Sequence, residues 1–144
     1  MAGLTLKQIK KAINEAVIAK YPEIPVMSND VKEGFPRPSF FVQMEDVTAD
    51  NRLYVSERSM TVRIYFFPKD RNKPNAEMLD KIDGLQEVFD LNIKVEDRSI
   101  TINETNADTA DGVLHFDFSF MYLESRLKEP TEPLMAEIEY GDGV

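Results

Sequence analysis

Apolar and mixed positions alternate along residues 111–127, and this run is the clearest pattern in the chain. Side chains of a β-strand point alternately to its two faces, so one face of this segment collects large apolar groups. That face holds Leu114, Phe116, Phe118, Phe120 and Tyr122. The opposite face holds Val113, His115, Asp117, Ser119, Met121 and Leu123. This mixture of polar and apolar side chains is typical neither of a solvent-exposed face nor of a core. The pattern predicts a long strand with a second face suited to contact with another subunit.

The N-terminal segment has helical periodicity instead. Thr5 is a suitable N-cap, and apolar residues recur at three- and four-residue spacing from Leu6 to Val17. Pro22 disfavours helical backbone at the residue before it. The sequence therefore predicts a helix over Leu6–Lys20, a short extended piece at residues 26–28 and a loop at residues 34–38.

Two more segments alternate with period two and predict an antiparallel hairpin. The first covers residues 39–48 and the second is centred on residues 60–67, with a turn expected at residues 49–52. The Phe-Phe pairs at 40–41 and 66–67 each place one ring inside and one outside. The outer rings, with Tyr65, are candidates for an interaction patch.

A second helix is predicted over residues 75–89, after Pro74, which suits the first turn of a helix. We expect its apolar residues to lie on the sheet: Met78, Leu79, Ile82, Leu85, Val88 and Phe89. Residues 93–95 and 99–103 read as short strands, and residues 105–111 as a polar turn region. The order of elements predicts an α+β fold, a mainly antiparallel β-sheet with two α-helices packed on one face. Residues 1–128 would form this single domain, and residues 129–144 a C-terminal extension ordered by a partner.

Charge and composition exclude several classes of function. The chain has 17 Lys plus Arg against 26 Asp plus Glu, for a net charge of −9, which opposes binding to phosphate backbones. It has no Cys, which excludes thiolate zinc sites and cysteine nucleophiles. The N-terminal stripe is interrupted by lysines and resembles neither a signal peptide nor a membrane span, so we expect a soluble, non-secreted chain.

Residues with catalytic potential form no recognisable constellation. His115 is the only histidine and lies two positions from Asp117, but no glycine-rich nucleophile elbow accompanies them. The acidic groups near Glu45, near Asp108 and near Glu137 lack the spaced ladder of a calcium loop, and a solvated acidic surface explains them better. No phosphate-binding glycine motif occurs. We therefore expect no enzyme activity, no cofactor and no metal.

Four segments, in order along the chain, resemble the tail terminator proteins of long-tailed phages and of phage-like elements in bacterial genomes. They are LTLKQIKKAINEAVIAKYPEIPV, EGFPRPSFFVQM, RSMTVRIYFFPKD and DGVLHFDFSFMYLES. The resemblance implies an α+β virion protein, a homo-hexameric ring that caps the completed tail tube, stops its polymerisation and provides the surface for joining the head. Implied partners are the tail tube protein, the head connector or neck protein and, in contractile tails, the sheath protein.

The resemblance also implies a place at the neck end of the virion tail, after assembly in the host cytoplasm and without contact to a membrane. DNA would be only cargo passing through the lumen, for which an acidic wall is suitable. From the alternation of the strands we expect the subunit or partner interface to include ten residues: Phe41, Gln43, Glu45, Arg63, Tyr65, Phe67, His115, Asp117, Ser119 and Met121.

Two alternatives remain open at this point. The first is another head-tail connector, neck or minor tail protein with a similar fold, which the map of neighbouring genes would distinguish. The second is a small metal-dependent hydrolase that uses His115, Asp117 and an acid from residues 108–111. Intact assembly after His115→Ala, together with no metal bound to the unmodified protein, would remove the support for the hydrolase.

Overall fold

The computed structural model describes residues 3–27, 36–70, 72–102 and 104–125. Two helices, α1 (Leu6–Lys20) and α2 (Asn75–Val88), pack on one face of a five-stranded sheet. The strands are β1 (Val26–Met27), β2 (Ser39–Asn51), β3 (Val55–Phe67), β6 (Thr105–Ala110) and β7 (Val113–Ser125), and a separate hairpin contains β4 (Asn92–Val95) and β5 (Arg98–Thr101). The predicted α+β architecture, with helices on one face, is confirmed.

Helix α1 begins with a reciprocal capping box. The Thr5 hydroxyl accepts a hydrogen bond from the Gln8 backbone N–H at 3.1 Å, and the Gln8 side chain accepts one from the Thr5 N–H at 2.9 Å. These bonds satisfy two of the N–H groups that a helix start leaves unpaired. Ile9, Ile13 and Val17 form the buried stripe of the helix. Its predicted bounds are confirmed.

The sheet has the strand order β1-β2-β3-β7-β6, in which only β1 and β2 are parallel. The predicted alternation is present in the three long strands, because every second residue is buried on the helix side from Phe40 to Val42, from Met60 to Phe66 and from Leu114 to Tyr122. The buried aromatic side chains of β2, β3 and β7 are Phe40, Phe66, Phe116, Phe118, Phe120 and Tyr122. The small β4–β5 hairpin adds Ile93, Val95 and Ile100 to the same core.

One residue of β7 holds the N-terminal segment against the sheet. The Leu4 N–H donates to Glu124 Oε2 at 2.6 Å, and Arg58 Nη1 donates to the Leu4 carbonyl at 3.3 Å. Arg58 and Arg98 each lie within 4.0 Å of a Glu124 carboxylate oxygen. The start of the chain is therefore tied to β3, β5 and β7 through one carboxylate.

Helix α2 differs from its prediction on one face. Leu79 was expected on the sheet, but its side chain is 64% exposed, whereas Lys81 is only 8% exposed. Positions 78, 81 and 85 share the inward stripe, and the aliphatic stem of Lys81 lets it lie there. Its ammonium is 5.0 Å from the centroid of the Tyr21 ring and 5.1 Å from that of Phe66. The prediction for Leu79 is wrong because it is one residue out of the stripe.

Two turn predictions are also wrong. The β2–β3 hairpin turns at residues 52–54, not 49–52, because the polar residues before it continue the ladder with β3 to Asn51↔Ser56. Residues 105–110 are a strand rather than a turn region, paired with β7. The turn itself is only Asp111-Gly112, with φ of 55° and 73°, as a tight hairpin between antiparallel strands requires.

Three predictions fall on residues outside the described ranges. They are the extended backbone at Ser28, the first part of the loop at residues 34–38, and the C-terminal extension at residues 129–144.

Candidate functional site

The outer face is the side of the sheet turned away from the two helices. It is formed by the residues of β2, β3 and β7 that alternate with the buried set, and in the described ranges no helix or strand packs over it. By this alternation the ten predicted interface residues all belong to it, on three adjacent strands: Phe41, Gln43, Glu45, Arg63, Tyr65, Phe67, His115, Asp117, Ser119 and Met121.

An aromatic row crosses the outer face. Phe41 is the ladder partner of Tyr65, which is also the partner of His115. The Phe41 and Tyr65 rings are stacked with centroids 5.7 Å apart, and the Tyr65 and His115 rings meet edge to face at 4.8 Å. Each strand supplies one ring, so the row is continuous and its side chains are half-buried by one another. Preorganised rings of this kind lose little conformational entropy when a partner covers them.

A polar row lies directly beside the aromatic one, with Gln43, Arg63 and Asp117 in register. The Tyr65 hydroxyl donates to Gln43 Oε1 at 3.2 Å, which joins the two rows. Arg63 is 3.4 Å from Glu45 through Nη1 and 3.9 Å from Asp117 through Nε. One cation is therefore shared by two carboxylates, and the local charge is negative.

Hydroxyl and thioether groups continue the outer face toward the β2–β3 turn. Thr61 and Ser119 are hydrogen-bonded at 2.8 Å, and Thr48 and Ser59 at 2.6 Å. Met121 and Leu123, farther along β7, are 47% and 51% exposed. Thr61 and Leu123 were not among the predicted interface residues, although the same alternation places them on this face.

Phe67 lies at the opposite end of the outer face, where a loop reaches the sheet. The Arg37 guanidinium is 5.9 Å from the centroid of the Phe67 ring, and Arg37 Nη1 donates to the Pro68 carbonyl at 2.9 Å. Ser39, the ladder partner of Phe67, is fully buried. This position is thus a covered margin of the face, distinct from its open centre.

The fold brings one acid of the hydrolase alternative next to His115, because Asp108 on β6 is the ladder partner of His115. His115 contacts the Tyr65 ring, and Asp117 is committed to Arg63. Within the described ranges, no three His, Asp or Glu side chains converge to hold a metal ion. In that same part of the chain, no helix is both long and apolar enough to cross a membrane.

Comparison with known families shows which family the chain belongs to, which its geometry alone does not. The family model described as "Phage tail terminator protein" matches residues 8–132, which is most of the chain. No curated protein gives a significant match. The matched range contains all of α2, all of β1 to β7, the whole outer face, and α1 except for its first two residues. The chain belongs to the phage tail terminator family.

Proposed function

We propose that this protein is a non-enzymatic structural component of the tail that caps the completed tail tube, stops its polymerisation and offers the surface to which the head is joined. Membership of the family supports a structural role in a phage tail. The proposal that the protein caps the tube and receives the head rests on the outer face, with its continuous aromatic row beside a paired polar row.

The composition of the outer face argues for contact with protein rather than with water alone. An antiparallel sheet with one solvated face usually alternates apolar residues with simple polar ones. Here the outward positions of the central strands include Phe41, Tyr65 and His115, whose rings touch across all three strands. Aromatic side chains and arginine are enriched where protein surfaces meet, and both occur together here.

The proposed mechanism is steric. Protomers would associate head to tail into a homo-hexameric ring, since heterologous contacts close into a ring when the rotation between neighbours allows it. One side of the ring would bind the last tube subunits, and the other would present no site for a further tube subunit. That second side would receive the head connector or neck protein, and in a contractile tail the sheath protein would be a further partner.

The charge of the protein suits a channel through which DNA passes. The net charge is −9, and on the outer face Glu45 and Asp117 share a single arginine. Acidic walls repel the phosphate backbone, so DNA would travel through as cargo without adhering. The protein would then work at the neck end of the virion tail, after assembly in the host cytoplasm.

The test is termination of tube growth by purified protein. Tube subunits are polymerised with the unmodified protein, with Tyr65→Ala, and with Leu79→Ala, which removes an exposed apolar side chain of α2 away from the outer face. Light scattering after size exclusion reports the mass of the species added. We expect rings of about six subunits, tubes of arrested length, and loss of arrest for Tyr65→Ala alone.

Two outcomes would count against the proposal. A folded Tyr65→Ala variant that arrests tubes as well as the unmodified protein would remove the outer face from the mechanism. A protein that stays monomeric and leaves tube growth unchanged, but binds the connector, would favour the alternative of another neck component.

A further inference from the structure

The first half of α1 carries positive charge on its solvent side. The helix contains four lysines and one glutamate, and its first turn has no acidic residue. Lys7 and Lys11 are exposed, and Lys10 is half-buried. Lys10 and Lys11 lie three and four residues after Lys7, so the three side chains are neighbours on the helix surface. We name them the lysine stripe. In the described ranges, no carboxylate oxygen lies within 4.0 Å of these three ammonium groups.

The second half of α2 carries negative charge instead. Asp83, Glu87 and Asp90 are exposed and follow one another at spacings of four and three residues. We name them the acidic stripe. The last turn of this helix contains no basic residue. Glu87 pairs with Lys20 at the end of α1. Asp83 and Asp90 form no ion pair with any residue that the structure describes.

Both stripes oppose the electrostatics of their own helices. The start of a helix carries a partial positive charge and its end a partial negative charge, so lysines are unfavourable at the start and carboxylates at the end. Lys7 lies in the first turn of α1, and Glu87 lies in the last turn of α2. Like charges three or four residues apart also repel each other. The charge pattern therefore lowers the stability of the single protomer, and a surface of opposite charge would offset that loss.

A second copy of the chain offers that surface for each stripe. In the described part of one protomer, no ion pair joins a residue of the lysine stripe to a residue of the acidic stripe. Two different and complementary patches on one subunit make a head-to-tail contact, which is the kind of contact that closes into a ring. Such a contact leaves the outer face available, because both helices lie on the other side of the sheet. Complementary charges also accelerate encounter and disfavour wrong orientations.

We propose that the lysine stripe of one protomer contacts the acidic stripe of the next, and that this contact joins the protomers of the ring. The inference rests on the proposed function, because it names the surfaces through which the proposed ring forms. It gives the two sides of the sheet different tasks. The helices hold neighbouring protomers together, whereas the outer face is left for the other components of the tail and for the channel.

Charge reversal in the full-length protein tests each side of the contact. The α1 variant combines Lys7→Glu with Lys11→Glu, and the α2 variant combines Asp83→Lys with Asp90→Lys. The new charges suit the dipoles of their helices, so both variants should fold, which circular dichroism checks. Light scattering after size exclusion measures the concentration at which rings form. We expect each variant alone to need a concentration at least about tenfold above that of the unmodified protein, because like charges then meet across the contact.

An equimolar mixture of the two variants tests the pairing itself. In a ring where they alternate, the reversed α1 meets the reversed α2 and the unmodified stripes meet each other, so every contact is attractive. We expect the mixture to form rings at the concentration that the unmodified protein requires, and added salt to weaken both. Lys69→Glu with Lys73→Glu, at two exposed positions before α2, changes the net charge as much as the α1 variant does and is the control. It should assemble normally.

Three results would overturn the proposal. Rings that form equally well from the unmodified protein and from both variants would exclude this contact and leave the proposed function intact. Failure of each variant alone, without recovery in the mixture, would show that the two stripes do not contact each other. An unmodified protein that stays monomeric at every concentration and arrests no tubes would overturn this contact together with the proposed function.

Discussion

The hydroxyl of Tyr21, the residue that ends α1, lies directly against Gly84 in the middle of α2. A Cβ atom added to Gly84 would lie 1.7 Å from Tyr21 Oη. The Tyr21 ring is held from the other side by Phe40, with centroids 5.5 Å apart. The glycine is therefore needed for the close approach of the two helices rather than for a special backbone angle.

We predict that Gly84→Ala destabilises the protein by about 1–3 kcal/mol, as expected when a buried site is overfilled. The usual gain of about 1 kcal/mol for alanine over glycine within a helix acts in the opposite direction and is outweighed. Chemical denaturation measures the free energy of unfolding, and Asp83→Ala, an exposed neighbour, is the control. An unchanged or higher stability for Gly84→Ala would show that the Tyr21 ring moves aside without cost.

Lys81 should stabilise the fold through its charge as well as through its aliphatic stem. Its ammonium lies between the rings of Tyr21 and Phe66 in a buried position. Lys81→Met keeps the stem and removes the cation–π attraction, so we expect a loss of about 1 kcal/mol in the free energy of unfolding. Lys81→Ala should lose more, and Lys94→Met at an exposed position should lose little. Equal stability of Lys81→Met and the unmodified protein would show that only the stem matters.

Removing the Glu124 carboxylate should loosen the start of the chain. Glu124→Ala leaves the Leu4 N–H without its acceptor and Arg58 and Arg98 without their shared anion. We expect a loss of about 1–3 kcal/mol, the usual cost of an unsatisfied, partly buried group. Glu124→Gln retains an acceptor and should lose less, and Glu15→Ala on the exposed side of α1 is the control. Faster hydrogen exchange at Leu4 in Glu124→Ala would locate the effect, and its absence would contradict it.

Alkaline pH should destabilise the protein through two phenols, that of the half-buried Tyr21 and that of the buried Tyr122. Burial raises the pKa of Tyr21 and that of Tyr122 above their ordinary value of 10.0. The unfolded chain therefore releases these protons at a lower pH than the folded chain does. Their contribution to stability is fully present below pH 10.0 and is lost as the pH rises through the folded pKa values.

The measurement is the free energy of unfolding against pH, with tyrosinate absorbance recorded in parallel. Tyr21→Phe and Tyr122→Phe should each flatten the decline on the alkaline side, whereas Tyr54→Phe, at an exposed ring, is the matched control. An alkaline limb of the same steepness in all four proteins would rule out these two phenols as its cause.

The parts of the fold that sequence predicts are those in which burial and periodicity coincide. Leu6–Lys20 was predicted to the residue because its cap, its stripe and the following proline agree. The outer face followed from alternation along β2, β3 and β7 once the helices were assigned to the other side. Its rows could not be predicted, because the register that brings Phe41, Tyr65 and His115 together depends on pairing between distant segments.

The two errors about turns lie where polar residues form regular structure. β6 has no fully buried side chain, so it lacks the apolar alternation that marks a strand. The Asp111-Gly112 pair was a sufficient signal for a two-residue hairpin turn, and it would have implied a partner strand immediately before it. The end of β2 is similar, because its last residues are exposed and only their ladder with β3 makes them a strand.

The burial of β7 on one side only has a consequence for how the sequence can vary. Phe116 and Phe118 are constrained by their packing against the helices. The residues that alternate with them, His115, Asp117 and Ser119, are constrained by what contacts the outer face. Two independent sets of requirements are thus interleaved at single-residue spacing in one strand. A change of partner can be accommodated by substituting alternate positions, while the domain that presents them keeps its shape.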